Sequence, residues 1–495
     1  MAVAGSSPQN VRHPKEAILA DIREFDVVVL GAGPAGEVCA GRLAEAGLAV
    51  ALIERELVGG ECSFYACMPS KALLRPAQAL AETLRVPGAA QAVVGELDVR
   101  AVLERRDEIV HGLEDDSHLE WLAEREITLV RGHGRLVGAS ELRVGEEILR
   151  ARRAVVLAPG TGASMPPIPG LREAAPWTNR EATTAQEIPG SLVVLGGGVV
   201  GVEMAWAYAS LGARVTLVEA QERLIAGEEE FASEEVREAL EGMGVEVIVG
   251  VKATAVARVP DARGAGAAER HDRAGRREGA RGPVRIQLED GRSVTGEELL
   301  VAVGRRPLTD DLGLDSLGLK PGGYVEVGET MQVPGHDWLY VVGDANGRAL
   351  LTHMGKYQAR VAAAHILGRT LPLLLDGRVS PRVIFTEPQV AAVGYTLAGA
   401  REAGLNVRAI DRPVGANAGG SFIGHDAPGT GRIVMDEDRR VLVGATFTGV
   451  EVAESLHAAT IAIVGEVPLE RLWHAVPCFP TRSEVWLRML EACEP

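Results

Sequence analysis

The stretch Phe25-Asp-Val-Val-Val-Leu-Gly-Ala-Gly-Pro-Ala-Gly36 (FDVVVLGAGPAG) decides the fold. A run of Val and Leu without polar alternation reads as a parallel strand buried on both faces. It ends on glycines spaced G-x-G-x-x-G, and an Ala-rich helical stretch follows. Gly31 makes the tight turn, Gly33 lets the backbone approach a pyrophosphate, and Gly36 lets helix pack on strand. Free N–H groups and the dipole at the helix start favour that anion. A second strand, Ala49–Ile53, ends at Glu54, placed to accept hydrogen bonds from an adenosine ribose. Together these make a dinucleotide-binding βαβ unit.

The same unit returns at Leu192–Leu195, with Gly196-Gly-Gly198-Val-Val-Gly201 and a strand Arg214–Val218 ending at Glu219. In both copies the acid comes 18 residues after the last glycine. A repeat of a whole module predicts two bound dinucleotides. The acid of the second copy favours a free 2′-hydroxyl over a 2′-phosphate, hence NADH over NADPH, although Arg223 lies near enough in sequence to offset that preference.

Just beyond the first unit lies Gly59–Lys71, GGECSFYACMPSK. In a regular helix the i,i+5 pair Cys62 and Cys67 would stand ~8–9 Å apart between Cα atoms, whereas a disulfide tolerates at most about 7 Å. A bridge therefore needs a distorted turn, to which Pro69 contributes by disfavouring a helical Met68. From the pair alone two readings stand: a redox-active disulfide beside a cation, or two unrelated buried cysteines. Only five of the 51 basic residues are lysines, and one of them, Lys71, follows this motif. A point-charge ammonium there hints at a local task.

At 495 residues the chain should divide into three or four domains, and 46% hydrophobic with 24% charged residues reads as globular α/β. A net charge of −17 argues against nucleic acid and anionic membrane surfaces as partners. No stretch approaches the ~18 apolar residues of a membrane span. Residues 1–22 mix Pro8, His13 and Pro14 with charges, which reads as a flexible tail and not a secretory signal. Five cysteines exclude a disulfide framework and favour a reducing cytoplasm.

Between the two units, Ala72–Leu84 and Val99–Glu126 read as helical and 127–158 as a strand pair. The Gly/Pro-dense run Ala158–Gly170 reads as a crossover between domains. Asp261–Arg281, rich in Ala, Gly and Arg, reads as an exposed, mobile hairpin insertion. Strands are expected at Leu299–Val303, ending at Gly304-Arg305, and at Leu339–Val342, ending at Gly343-Asp344, with a helix from about Thr352. From about Val379 a strand-rich pattern begins.

In this order the pieces resemble the class I FAD-dependent pyridine nucleotide–disulfide oxidoreductases, the family of dihydrolipoamide dehydrogenase, glutathione reductase and mercuric reductase, over nearly the whole chain from Phe25 to Leu490. The resemblance implies an α/β fold with two Rossmann-like domains and an α+β dimerisation domain. The expected division is 23–170 and 309–378 for FAD, 171–308 for NAD(P)H and 379–495 for dimerisation. The first fingerprint, with Pro34, Ala35, Arg55, Gly60 and Gly160, would bind FAD. The second, with Val199 and Val200, would bind NAD(H), or less favourably NADP(H). Asp344 resembles the acid at the FAD ribityl chain. Leu351-Thr352-His353 resembles the Leu-Ala-His segment beside the flavin, the other reading of His353 being an ordinary helix-start histidine. Glu203 falls where the family pairs a glutamate with the lysine, here Lys71, near flavin N5. The implied path runs from NADH through FAD to a Cys62–Cys67 disulfide. Cys67 would lie against the flavin and Cys62 would exchange with the acceptor. No metal ligands are assigned.

Departures from the family pattern concern the acceptor. Members with disulfide substrates end in His-Pro-Thr-x-x-Glu; here the stretch is Phe479-Pro-Thr-Arg-Ser-Glu484. Glu484 is carried over as catalytic, but Phe479 stands in place of a base whose contribution is typically about 10²- to 10⁴-fold. His474 would replace it only if the loop folded back. Glu61, in place of Thr, is expected to raise the thiol pKa values. Val199, in place of an aromatic lid, implies a more open nicotinamide site. Cys478 and Cys493 read as incidental, and the adjacent C-terminal cysteine pair of mercuric reductases is missing. The expected activity is that of a homodimeric NADH-dependent flavoenzyme reducing a disulfide, quinone or metal acceptor. Dihydrolipoyl dehydrogenase and a non-enzymatic redox sensor are the alternatives.

Overall fold

The computed structural model describes residues 22–259, 270–271, 277–278, 282–425 and 427–493. The Val-rich strand Ile22–Leu30 sits at the centre of a seven-stranded sheet. It pairs in parallel with Val50–Glu54 on one side and Glu147–Leu157 on the other. Leu339–Val341 adds to Glu147–Leu157 from far along the chain. Val27, Val28 and Val29 are fully buried, as a two-sided parallel strand requires. The helix Pro34–Glu45 packs beneath with Pro34 in its first turn, where no amide partner is needed.

The second unit forms a four-stranded parallel sheet in the order Glu246–Ile248, Arg214–Val218, Ser191–Leu195, Glu298–Val301. The two units share register: Leu30 stands opposite Ile53 and Leu195 opposite Val218, each one residue before the acid. The chain crosses between the units through two segments that pair as short antiparallel strands, Thr161–Ala163 and Arg305–Pro307. Residues 382–449 build a five-stranded antiparallel sheet, with helices Leu456–Val464 and Glu484–Glu491 against it.

Several local expectations change. The helix expected over Val99–Glu126 is two helices, Val99–Ile109 and Asp116–Glu124, with positive φ at His111, Gly112 and Leu113 between them. The break serves Asp115, whose buried carboxylate accepts the Val58 N–H at 2.8 Å and pairs with Arg131. The pair expected over 127–158 is four strands, three of them an antiparallel meander ending in Glu147–Leu157. The 261–281 insertion lies almost wholly outside the described residues, which keep only the antiparallel pair 270–271 and 277–278. The 1–22 tail lies outside them except for Ile22.

Candidate active site

Gly31, Gly33, Pro34, Ala35, Glu54, Arg55, Gly60, Gly160, Gly343, Asp344, Leu351 and Thr352 line one continuous cleft at the carboxyl ends of the first sheet's parallel strands. The donor set suits a dinucleotide. A Cβ built on Gly33, at the helix N-terminus, meets nothing within 4 Å, so the glycine leaves open space against free amides. Glu54 accepts N–H bonds from Ala32 at 2.8 Å and Glu56 at 2.7 Å. A carboxylate has about four acceptor positions, so it keeps capacity for ribose hydroxyls. Asp344 accepts the Thr161 hydroxyl at 2.6 Å, and burial holds its carboxyl above the usual range. Gly36 lies beneath the cleft as a packing residue, and a Cβ there would sit 1.8 Å from the Gly31 carbonyl oxygen.

The cysteine motif forms two helices, Gly60–Phe64 and Cys67–Arg85, broken at Tyr65 and Ala66. The distortion that lets residues 62 and 67 meet lies there, ahead of Pro69, which fits the first turn of the second helix. The two cysteines stand as thiols, the reduced form of the pair. They titrate as a pair. Hydrogen bonding from the Cys62 thiol holds Cys67 down to about 6, with the Thr352 hydroxyl, 3.3 Å from its sulfur, and the Lys71 charge adding to this. The same contact, with burial, pushes Cys62 up. The site is therefore built for a Cys67 thiolate facing a protonated Cys62.

Glu61 corrects an expectation. The leading influences on both thiols come from other groups: the two sulfurs on each other, burial, Thr352 and the nearby lysines. Arg180 and Arg305 neutralise it, and Asn179 Nδ2 donates to it at 2.9 Å.

Lys71 and Glu203 meet: Nζ donates to Oε2 at 2.8 Å, with Glu203 buried. Neither lines a cradle wall; Lys71 borders a groove beside Met68 and Phe385. Sequence reasoning missed Phe385, whose backbone N–H donates to the other Glu203 oxygen at 2.9 Å and whose ring centroid lies 4.7 Å from Lys71 Nζ. The pair thus joins both nucleotide-binding units to the C-terminal sheet. The only sequence signal for Phe385 was an aromatic residue in the turn after a strand. His353 does not line the cleft either; its Nε2 faces the Pro381 carbonyl at 2.7 Å.

A second cleft is lined by Gly196, Gly198, Val199, Val200, Glu219, Gly304 and Arg305. Gly201 and Glu203 lie behind it, one packed on Gly196 and the other on Lys71. Glu219 repeats the behaviour of Glu54, accepting from Gly197 at 2.5 Å and Gln221 at 2.7 Å. Arg223 is turned aside, its guanidinium donating to Ser233 at 2.6 Å and to the Ala226 carbonyl at 2.7 Å. Val199 is 46% exposed at the cleft mouth.

The C-terminal stretch stands apart within one chain. Phe479 is 77% exposed, Cys478 and His474 are also exposed, and Cys493 is buried against Met435. Glu484 is buried and accepts the Gly419 N–H at 3.4 Å. Neither His474 nor Glu484 lines the cleft that holds Cys62.

Comparison with known proteins follows the same outline. The family model described as pyridine nucleotide-disulphide oxidoreductase matches residues 25–365, and the model of that family's dimerisation domain matches residues 380–490. The dihydrolipoyl dehydrogenase of Thermus scotoductus is 31% identical over 483 residues, 95% of this chain and 98% of that protein. That of Chlamydia pneumoniae is 30% identical over 478 residues, 94% of this chain and 96% of that protein. The solved HOCl-induced flavoprotein disulfide reductase RclA from Escherichia coli superposes with a TM-score of 0.79 over 95% of this chain and 100% of its own; at 23% identity it speaks for the fold. Among the described residues no helix is long and apolar enough to cross a membrane. With two glycine-turn cradles and a paired-cysteine motif in one chain, the protein belongs to the pyridine nucleotide-disulphide oxidoreductases, flavoenzymes that use FAD and NAD(H).

Proposed function

We propose that this protein is a cytoplasmic homodimer in which two electrons from NADH open a Cys62–Cys67 disulfide to the thiol–thiolate pair, which returns to the disulfide as it passes them to a small-molecule acceptor that needs no histidine base. FAD in the first cradle supplies the carrier between nicotinamide and cysteines. The observation that carries the reading is that Cys67 meets Thr352 of the first cleft and feels the charge of Lys71 behind it, with Glu203 reaching Lys71 from the second unit. Lys71 holds positive charge where negative charge develops, and Glu203 pairs with that ammonium and fixes its place. Thr352 and Cys62 hold the Cys67 thiolate, while Cys62 keeps the proton and serves as the exchanging sulfur. The free 2′-hydroxyl reading favours NADH, since Glu219 lines the second cleft and Arg223 does not. The division 23–170, 171–308, 309–378 and 379–495 belongs to the same reading. Glu484 fixes the stretch that presents Phe479 to the partner subunit, so a quinone or metal ion fits better than a disulfide that must be protonated on leaving.

The relatives at 30–31% identity favour a second reading, dihydrolipoyl dehydrogenase. Anaerobic NADH titration followed by separate additions of lipoamide, a quinone and a low-molecular-weight disulfide decides between them. The expected result is a long-wavelength band lost in Cys67→Ser, with rapid reoxidation by the quinone and slow reoxidation by lipoamide. Rapid turnover with lipoamide installs the second reading, and negligible turnover with every acceptor leaves a redox sensor.

A further inference from the structure

Glu61 stands immediately before Cys62 in the helix Gly60–Phe64. Its partners come from the two segments that join the nucleotide-binding units. Asn179 and Arg180 begin the helix Asn179–Thr184 at the end of the outgoing segment. Arg305 belongs to the returning strand, its Nη2 being 3.5 Å from Glu61. The contacts interlock. Asn179 Nδ2 also donates to the Tyr65 carbonyl at 2.9 Å, Arg305 donates to Asn179 Oδ1 at 3.3 Å, and the Arg180 guanidinium lies 4.5 Å from the Tyr65 ring centroid. Arg305 also donates to the Thr161 hydroxyl at 2.7 Å, which in turn donates to Asp344. Asn179 lines the second cleft, Glu61 and Arg180 line the first, and Arg305 lines both.

We propose that Glu61 is a positioning residue: it clasps the cysteine-bearing helix, which lines the first cradle, to the joint between the two cradles and so sets the alignment of the second cradle against the first. The inference rests on the reading that the two cradles hold FAD and NADH. A carboxylate between two guanidinium groups is held by charge-assisted bonds in fixed directions. Hydride transfer needs reacting atoms about 3–3.5 Å apart, and a misplacement of about 1 Å costs on the order of a hundredfold. A clasp at the joint therefore acts on the rate of transfer and not on nucleotide affinity, which belongs to the glycine turn and Glu219.

The near-isosteric Glu61→Gln variant keeps an acceptor for Asn179 and loses the charge that binds the two arginines. In anaerobic stopped flow its limiting rate of flavin reduction by NADH should fall on the order of tenfold or more, with the NADH Kd within about twofold of the wild type. Amide hydrogen exchange should quicken in residues 60–66 and 179–184 and not in the C-terminal sheet. Arg180→Gln, which leaves Arg305 on Glu61, should slow transfer in the same direction, and the double variant should cost less than the sum of the two, because both remove the Glu61–Arg180 contact. An unchanged limiting rate in Glu61→Gln overturns the proposal. So does a parallel loss of FAD, NADH affinity and melting temperature, which marks a general structural role. Wild-type protein that NADH does not reduce sinks the functional reading instead; the exchange measurement then judges the clasp, and unchanged exchange overturns it.

Discussion

The two βαβ units are near copies in everything that builds a cradle and differ in what surrounds it. Both first glycines have positive φ, +98° at Gly31 and +105° at Gly196, and both acids accept an amide from the turn and one from two residues ahead. The third glycines are equivalent to the ångström, a Cβ on Gly36 or Gly201 lying 1.8 Å from the carbonyl oxygen of Gly31 or Gly196. Two residues later the copies part. Val38 packs against the apolar core, whereas Glu203 is a buried carboxylate bonded to Lys71 and Phe385. A buried charge stays only where paired and hydrogen-bonded. Positions shared by the copies therefore describe nucleotide binding, and positions where they differ describe the chemistry between them.

Breaking the shared part should give the largest effects. Gly201→Ala drives a methyl into the Gly196 carbonyl and should abolish NADH binding while the protein keeps its flavin; Gly36→Ala should lose the flavin itself. Visible absorbance per subunit and an NADH titration measure both, with circular dichroism to show that each variant folds. Equal loss of flavin in both variants would break the assignment of one cradle to each cofactor.

Removing the divergent charge comes next. Glu203→Gln should slow flavin reduction by NADH on the order of a hundredfold and cost about 2 kcal/mol of stability. Stopped-flow reduction and urea unfolding read the two numbers separately. Alkylation of the reduced protein by iodoacetamide should titrate near pH 6 at Cys67, against about 8.5 for an ordinary thiol. The sign follows from a lowered pKa: reactive thiolate is present above that value and is lost as pH falls through it. Thr352→Val should move the midpoint up. The smallest effect is expected at Arg223, where Arg223→Gln should change the NADH-to-NADPH ratio of kcat/KM by less than about twofold, because its guanidinium is tied to Ser233 and Ala226. A large change there would return Arg223 to the second cradle.

Much of this was legible before any coordinates. Strand periodicity, glycine turns and the acid after the second strand are local signals, decided by backbone conformations a few residues long. They located both cradles, both acids, the cysteine motif and Lys71. Strand ends in the two units shifted by at most three residues, but the pair expected over 127–158 became four strands, and Asp115 broke a long helical pattern to reach Val58. The pairing of Lys71 with Glu203 needed a family likeness, since nothing in local spacing relates residues 132 positions apart.

Tertiary structure alone decided the rest. It turned Glu61 from a carboxylate expected to act on the thiols into one neutralised by Arg180, 119 residues away, and by Arg305. It brought Phe385 to Glu203 across 182 residues and took Arg223 out of the second cradle. The physical reason is the range of the forces. Turn geometry and hydrophobic periodicity are written within a single element, whereas the partner of a charged side chain is whichever group the packing of separate elements brings within about 3 Å.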